Sequence, residues 1–344
     1  MRRTWLFILL LFVLTRGCAS PPPDTGPHPA WPPPPAPPRI VHRMDISQSL
    51  DLMRPSFLDA LGQFIVGSRP VRLMRPVGVA MGPGDLLAVT DQELQALVLF
   101  NLHTGRMTVA DRVGAKHMVS PVGVTACPGG FAVSDSALDL VALISPEGRF
   151  VRDIVPAGVV KRPTGLVFDS RRGELYVVDT LADKVRVFDL QGHPLRSFGG
   201  PGRDPGQFNA PTYIAQDAAG RLYVTDSLNF RVQILDGQGH YLSEFGRQGD
   251  ATGYLAVPKG IGVDQYGHIY LVDSYTTNVQ VFDAQGRFLL SFGQPGRGRG
   301  EFLVPGGLCV TADDRIFVCD GMNHRVEVFQ YVGGSDHAPV SDSH

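Results

Sequence analysis

The chain has 344 residues, is 43% hydrophobic and carries a formal net charge of −2. A charge so near zero argues against a general nucleic-acid binder, and the apolar content suffices for a large core. The apolar run at residues 5–14 is too short to cross a bilayer, and Cys127, Cys309 and Cys319 have no zinc-like spacing and are expected as buried thiols.

In chain order, Arg2 and Arg3 precede that apolar run, and Gly17-Cys18-Ala19-Ser20 follows it. This is the layout of a targeting segment, residues 1–18, and it resembles a bacterial lipoprotein signal in which Cys18 becomes the acylated N-terminus. Thr15 and Arg16 depart from that pattern, and ordinary secretory cleavage is the alternative. Either route implies a domain outside the cytoplasm, in the bacterial cell envelope. Ala19 and Ser20 supply no acidic retention signal, so a lipidated form is expected at the outer membrane where there are two membranes. Residues 19–38 are proline-rich, and polyproline II geometry at about 3 Å per residue predicts a semi-rigid spacer.

After the prolines, Arg39-Ile40-Val41-His42-Arg43-Met44 reads as an extended strand, and Phe57, Leu58, Leu61 and Phe64 recur at helical spacing, predicting a short capping helix. From residue 75 to 331 one template repeats. Pro76, Pro121, Pro163, Pro211, Pro258 and Pro305 each open an apolar strand, and a second strand ends at Asp91, Asp135, Asp179, Asp226, Asp273 or Asp320. A third strand alternates apolar and polar residues, for example Val232 and Leu235, and glycine turns such as Gln238-Gly239 lead to a fourth ending in Phe-Gly. A period of about 42 to 48 residues is that of a four-stranded blade, so the fold class is all-β, a six-bladed propeller.

Asn323-His324-Arg325-Val326 and Asn229-Phe230-Arg231-Val232, with the Pro-x-Gly entry and the strand-ending aspartate, resemble the NHL repeat. The resemblance implies a propeller and leaves the chemistry open. Blades 1 and 2 depart from it, with Ala96 and Leu140 at the arginine position. The sixth copy stops after three strands, so the strand at residues 39–44 is expected to close the ring; residues 332–344 are expected to form a disordered tail.

The innermost strands, VGVAM, VGVTA, TGLVF, TYIAQ, KGIGV and GGLCV, contain no histidine or carboxylate. The expectation is therefore no catalytic residue, no cofactor and no metal in the channel wall, since calcium needs several oxygen ligands and zinc several His, Cys or Asp ligands. The six aspartates read as turn-capping acceptors, paired in some blades with Arg231, Arg325 or Lys184. His103, His117, His193, His240 and His268 fall in turns and are expected to face solvent.

In a propeller the blade-entry loops and the loops joining second to third strands share a face. Here that face carries Arg203, Arg247, Arg297 and Arg299 in the entry loops and Leu181, Leu228, Phe230, Tyr275 and Met322 in the others. Apolar residues set among arginines suit a protein partner, whereas Phe208, Tyr254 and Phe302 are expected to plug between blades. The leading reading is a monomeric, non-catalytic binding or scaffold module with a protein partner in the envelope. Two alternatives are a metal-dependent enzyme of the lactonase or lyase type with ligands on loops, and a sensor of small ligands or glycans at a pore mouth near Tyr213, Lys259 and Tyr275.

Overall fold

The computed structural model describes residues 28–48, 51–52 and 71–333. The signal segment with Cys18, the expected helix at 57–64 and residues 334–344 lie outside them.

Six antiparallel sheets form the blades of a propeller. Blade 1 runs Pro76–Gly82, Leu86–Asp91, Ala96–Asn101 and Met107–Ala110; blade 4 runs Pro211–Gln216, Leu222–Asp226, Arg231–Leu235 and Tyr241–Phe245. Blades 2, 3 and 5 repeat this order, so the two copies with the weaker motif fold as the others do. The second and third strands are buried almost throughout, and the apolar clusters lie between adjacent blades, where each sheet face packs on the next.

Blade 6 has three strands from the C-terminal end, Pro305–Val310, Arg315–Asp320 and Arg325–Tyr331, and its fourth is Ile40–Ile46. Pairing of Ile40 with Tyr331 and of Ile46 with Val326 closes the ring as the sequence predicts. A half-exposed ion pair also joins blade 6 to blade 1, Arg315 Nη2 to Asp85 Oδ1 at 2.6 Å.

The proline-rich stretch departs from the spacer expectation over its described part. Ala30–Trp31 adds a fifth strand to blade 6 by pairing with Val41 and Ile40. The Trp31 ring lies 5.9 Å from those of Phe292 and Phe329, and it packs over Gly300, where a Cβ would come within 2.4 Å of the indole. One large aromatic among the prolines offers enough apolar surface to hold the segment against the domain.

Inner strands approach so closely that five blades need glycine at the third position. A Cβ on Gly78, Gly123 or Gly307 would stand 2.1, 2.0 or 2.5 Å from a carbonyl oxygen of the next blade. Blade 4 alone has a side chain there, Tyr213.

Candidate functional site: the loop-side channel mouth

Tyr213 divides the central channel. It lines the cavities on both sides, one of about 460 Å³ and one of about 260 Å³, and its hydroxyl donates across the ring to the Val77 carbonyl at 3.3 Å. The larger cavity is walled by Gly, Val, Ala and Leu of the inner strands, with Gln216 and Thr311 among its few polar residues. The smaller opens on the loop face and is different in kind. Arg75, Arg162 and Lys259 line it together with Gln92, Ser120, Ser136, Ser274 and Met322. Neither lining contains a histidine or a carboxylate. A wider groove of about 680 Å³ lies at the rim between blade 5 and the N-terminal segment, where Arg287 pairs with Asp283 at 2.6 Å.

The aspartate ring around the mouth is structural. All six carboxylates are buried, and each accepts a backbone N–H group from the loop entering its blade. Asp91 receives Met74 and Arg75 from the entry loop and Glu93 and Leu94 from its own turn; Asp135 and Asp273 repeat the arrangement. Asp179, Asp226 and Asp320 accept Lys161, Asn209 and Leu303 in turn. In blades 1, 2 and 5 the carboxylate thus fastens two loops into one surface, whereas in blades 3, 4 and 6 it makes no hydrogen bond to the backbone N–H groups of its own turn, contrary to the turn-capping expectation. Arg231 pairs with Asp226 at 2.8 Å and Arg325 with Asp320 at 3.4 Å. Lys184 does not follow: Arg186, two residues on along the same strand face, takes Asp179 at 2.6 Å.

The residue after each aspartate reaches the mouth in blades 1, 2, 5 and 6, as Gln92, Ser136, Ser274 and Gly321. The next residue stands in solvent in blades 3 to 6: Leu181 is 65% exposed, Leu228 55%, Tyr275 67% and Met322 52%. Phe230 is only half-buried, at the left-handed position (φ 56°) that ends its turn. Arg203, Arg247 and Arg297 are exposed and form no ion pair among the described residues, while Arg299 is half-buried. Phe208 and Phe302 are buried plugs as expected, but Tyr254 is exposed and Leu255 fills its place. Leu255 is in register because it bridges Gln248 as Phe208 bridges Pro201.

Sequence reasoning missed two features of the site. Arg75 and Arg162 precede the strand-opening prolines of blades 1 and 3, positions held elsewhere by Ser120, Ala210, Val257 and Val304, so nothing in the repeat marks them. Nor did it find the cluster of His42, Asp45 and Glu327 at the closing strand, whose ligand-type atoms lie within 4.8 Å of one another. A cation already sits there, since Arg325 reaches Asp45 at 2.9 Å and Glu327 at 2.8 Å. Burial pushes Glu327 up to about 7. Burial alone would lower His42, but its hydrogen bonds to Asp45 and Glu327 hold it above the ordinary histidine range. His268, expected in solvent, is buried against Asp264 at 2.7 Å because its turn folds under Tyr331. The thiols of Cys127, Cys309 and Cys319 are free, and burial lifts Cys127 to about 11 and Cys309 to about 12.

Comparison with known proteins supports this architecture. The family described as a 6-bladed beta-propeller matches residues 262–335. Among solved structures, a streptogramin B lyase aligns with TM-score 0.57 and 12% identity over 75% of this chain and 94% of its own. Virginiamycin B lyase from Staphylococcus aureus gives TM-score 0.56, 13% identity, and 75% and 96% coverage. A nidogen/laminin complex gives TM-score 0.55, 20% identity, and 74% and 93% coverage. At these identities the likeness is one of fold.

Proposed function

We propose that this protein is an NHL-type propeller that acts as a non-catalytic binding module, capturing a protein partner on its loop face, and that it is exported and tethered to the bacterial envelope through acylated Cys18. The observation that carries the reading is the arc of large exposed apolar side chains, Leu181, Leu228, Tyr275 and Met322, standing beside a cation-lined channel mouth. Exposed apolar residues grouped on one loop face and ringed by arginines are the composition of a recognition surface. Solved propellers of similar shape include lyases and a member of a protein–protein complex. A histidine-to-alanine variant of one of those lyases is catalytically inactive, whereas neither of the two channel cavities here is lined by a histidine or carboxylate that could supply a general base.

The test is capture from native envelope extract by the immobilised chain, beside two variants. One carries Leu181, Leu228, Tyr275 and Met322 all as Ser, and the other has Arg203, Arg247, Arg297 and Arg299 all as Ala. One stoichiometric protein retained by the wild type and lost from the first variant supports the reading; retention by both variants, or chelator-sensitive turnover of a lactone or lyase substrate, overturns it. Palmitate incorporation that disappears in Cys18→Ala tests the anchor, and cleavage without acylation overturns it.

A further inference from the structure

The loop-side mouth brings three cations together with no carboxylate in its lining. Arg75 and Arg162 come from the turns entering blades 1 and 3, and Lys259 from the inner strand of blade 5, so three non-adjacent blades each place one positive group on one cavity of about 260 Å³. None of the three side chains has a hydrogen-bond or ion-pair partner among the described residues. The nearby acid Asp139 accepts the backbone N–H of Arg162 at 2.7 Å rather than its guanidinium. Arg162 is itself held at a left-handed φ of 56°, a conformation uncommon for a long side chain.

The hydroxyls around the mouth sharpen the picture. Ser136 donates to the Pro163 carbonyl at 2.6 Å and Ser274 to that of Val257 at 3.3 Å, so both protons are committed to protein. Ser120 instead accepts from Gln92 at 3.2 Å, which leaves its own O–H available to a ligand. Tyr213 forms the floor. Burial, and then the neighbouring Arg162 guanidinium, hold the Lys259 ammonium below the ordinary lysine range. Like charges facing one another in a half-enclosed cavity are relieved by one bound anion.

We propose that this mouth binds a single carboxylate carried on an apolar body. The carboxylate would sit among Lys259, Arg162 and Arg75, where charge-assisted hydrogen bonds to an arginine fork are strongest. The apolar part would lie outward along Met322 and Tyr275. The cavity is smaller than those that enclose drug-sized ligands, which suits a short organic acid or the anionic end of a longer chain. The inference rests on the binding-module reading, names the chemistry that its site recognises, and covers both sources.

The experiment is isothermal titration of the full-length chain with hexanoate, with neutral hexanamide, with inorganic phosphate, and with a short apolar peptide prepared with a free or an amidated C-terminus. The same series is run on Arg162→Gln/Lys259→Met, and a melting curve establishes that the variant is folded. Expected are one hexanoate site that weakens with added salt, binding at least tenfold weaker for hexanamide, and at least a tenfold loss in the variant. Free-acid peptide bound more tightly than hexanoate identifies the chain-end source, and the reverse identifies the small acid. Hexanoate and hexanamide binding alike, phosphate preferred over hexanoate, or an unaffected folded variant would each overturn the proposal. Should the variant fail to fold, Lys259→Met alone replaces it. Partner capture without hexanoate binding sinks this inference alone, while hexanoate binding without any captured partner leaves it standing and removes the protein-partner reading.

Discussion

Blades 4 and 6 build the same arginine-centred knot from different pieces of chain. In blade 4, Arg231 holds Asp226 at 2.8 Å and Glu244 of the outer strand at 2.7 Å, and it donates to the Gln207 carbonyl of the entry loop at 2.9 Å. In blade 6, Arg325 holds Asp320 and the entry-loop carbonyls of Gly298 and Glu301, and its outer-strand acid is Asp45, 280 residues away in sequence. Asp45 lies opposite Glu327 as Glu244 lies opposite Gln233. The closing strand therefore supplies the charge that a native outer strand would, as well as its backbone hydrogen bonds.

The two knots differ at one position. Gln233 accepts the Gly206 N–H at 2.8 Å and donates to the Gln207 carbonyl at 2.5 Å, and Gln280 does the same in blade 5. Glu327 accepts the equivalent Gly300 N–H at 2.7 Å but, when ionised, has nothing to donate. Its Oε1 is buried without an aligned donor although Arg325 Nη2 is 2.8 Å away. A neutral amide satisfies both loop groups in blade 4, and in blade 6 a carboxylate brings a charge that His42 and Arg325 must balance. The seam of the ring is thus its titratable joint.

Breaking the seam should have the largest effect. Deleting residues 40–46 exposes the whole edge of the third strand and removes Asp45 from Arg325 and His42 from Glu327, and cooperative unfolding by circular dichroism should disappear; a deletion that still melts sharply would mean that the ring closes without its strand. Next, Arg325→Ala should cost about 3–5 kcal/mol in chemical denaturation, because it leaves carboxylates buried and unpaired. Arg231→Ala should cost less, since it leaves only one fully buried carboxylate, Asp226, beside the exposed Glu244. Equal losses would show that the closing strand adds no charge coupling.

Gly307 of blade 6 corresponds to Tyr213 of blade 4, and its Cβ position is 2.5 Å from the Val77 carbonyl. Gly307→Ala should therefore lower stability by roughly 1–3 kcal/mol, and a neutral result in the same assay would mean that the inner strands of blades 6 and 1 part easily.

The smallest effect is that of pH. Glu327 titrates near 7 when folded against 4.5 unfolded, and His42 above its unfolded 6.5, so the native state holds more protons than the unfolded chain as pH passes through neutrality. Stability from these groups is complete only below about pH 4.5 and is lost progressively as pH rises through about 7, by roughly 1–2 kcal/mol after allowance for their coupling. Asp45, which His42 and Arg325 hold low against the pull of burial, acts oppositely and loses its contribution only in acid. Glu327→Gln, which installs the residue of blades 4 and 5, should flatten the melting temperature between pH 6 and 8. An unchanged slope would move the titration elsewhere.

Of the loop-side mouth, the sequence offered Lys259 and Tyr213 on inner strands, and the exposed residues that follow the aspartates. Leu181, Leu228, Tyr275 and Met322 were legible because a fixed offset from a strand-ending aspartate places them on one face. Arg75 and Arg162 were not, because each belongs to an irregular turn whose path is fixed by distant carboxylates such as Asp91 and Asp139. The plug of blade 5 is Leu255 instead of the expected Tyr254 because register, not aromatic character, selects it: Phe208, Leu255 and Phe302 stand at the same offset from Phe198, Phe245 and Phe292, which end the outer strands.

The sequence by itself determined the six-fold repeat, the strand order in every blade and the need for an N-terminal strand. All of these rest on short-range periodicity and turn chemistry, which act within one blade. Only the tertiary structure decided that Asp45 would answer Arg325, that Trp31 would bring the end of the proline stretch back onto blade 6, that Tyr213 would stop the channel, and that three cations would meet at its mouth. Those are contacts between residues tens to hundreds of positions apart, and they come into being only when the ring closes and sets the angle of each blade toward the axis.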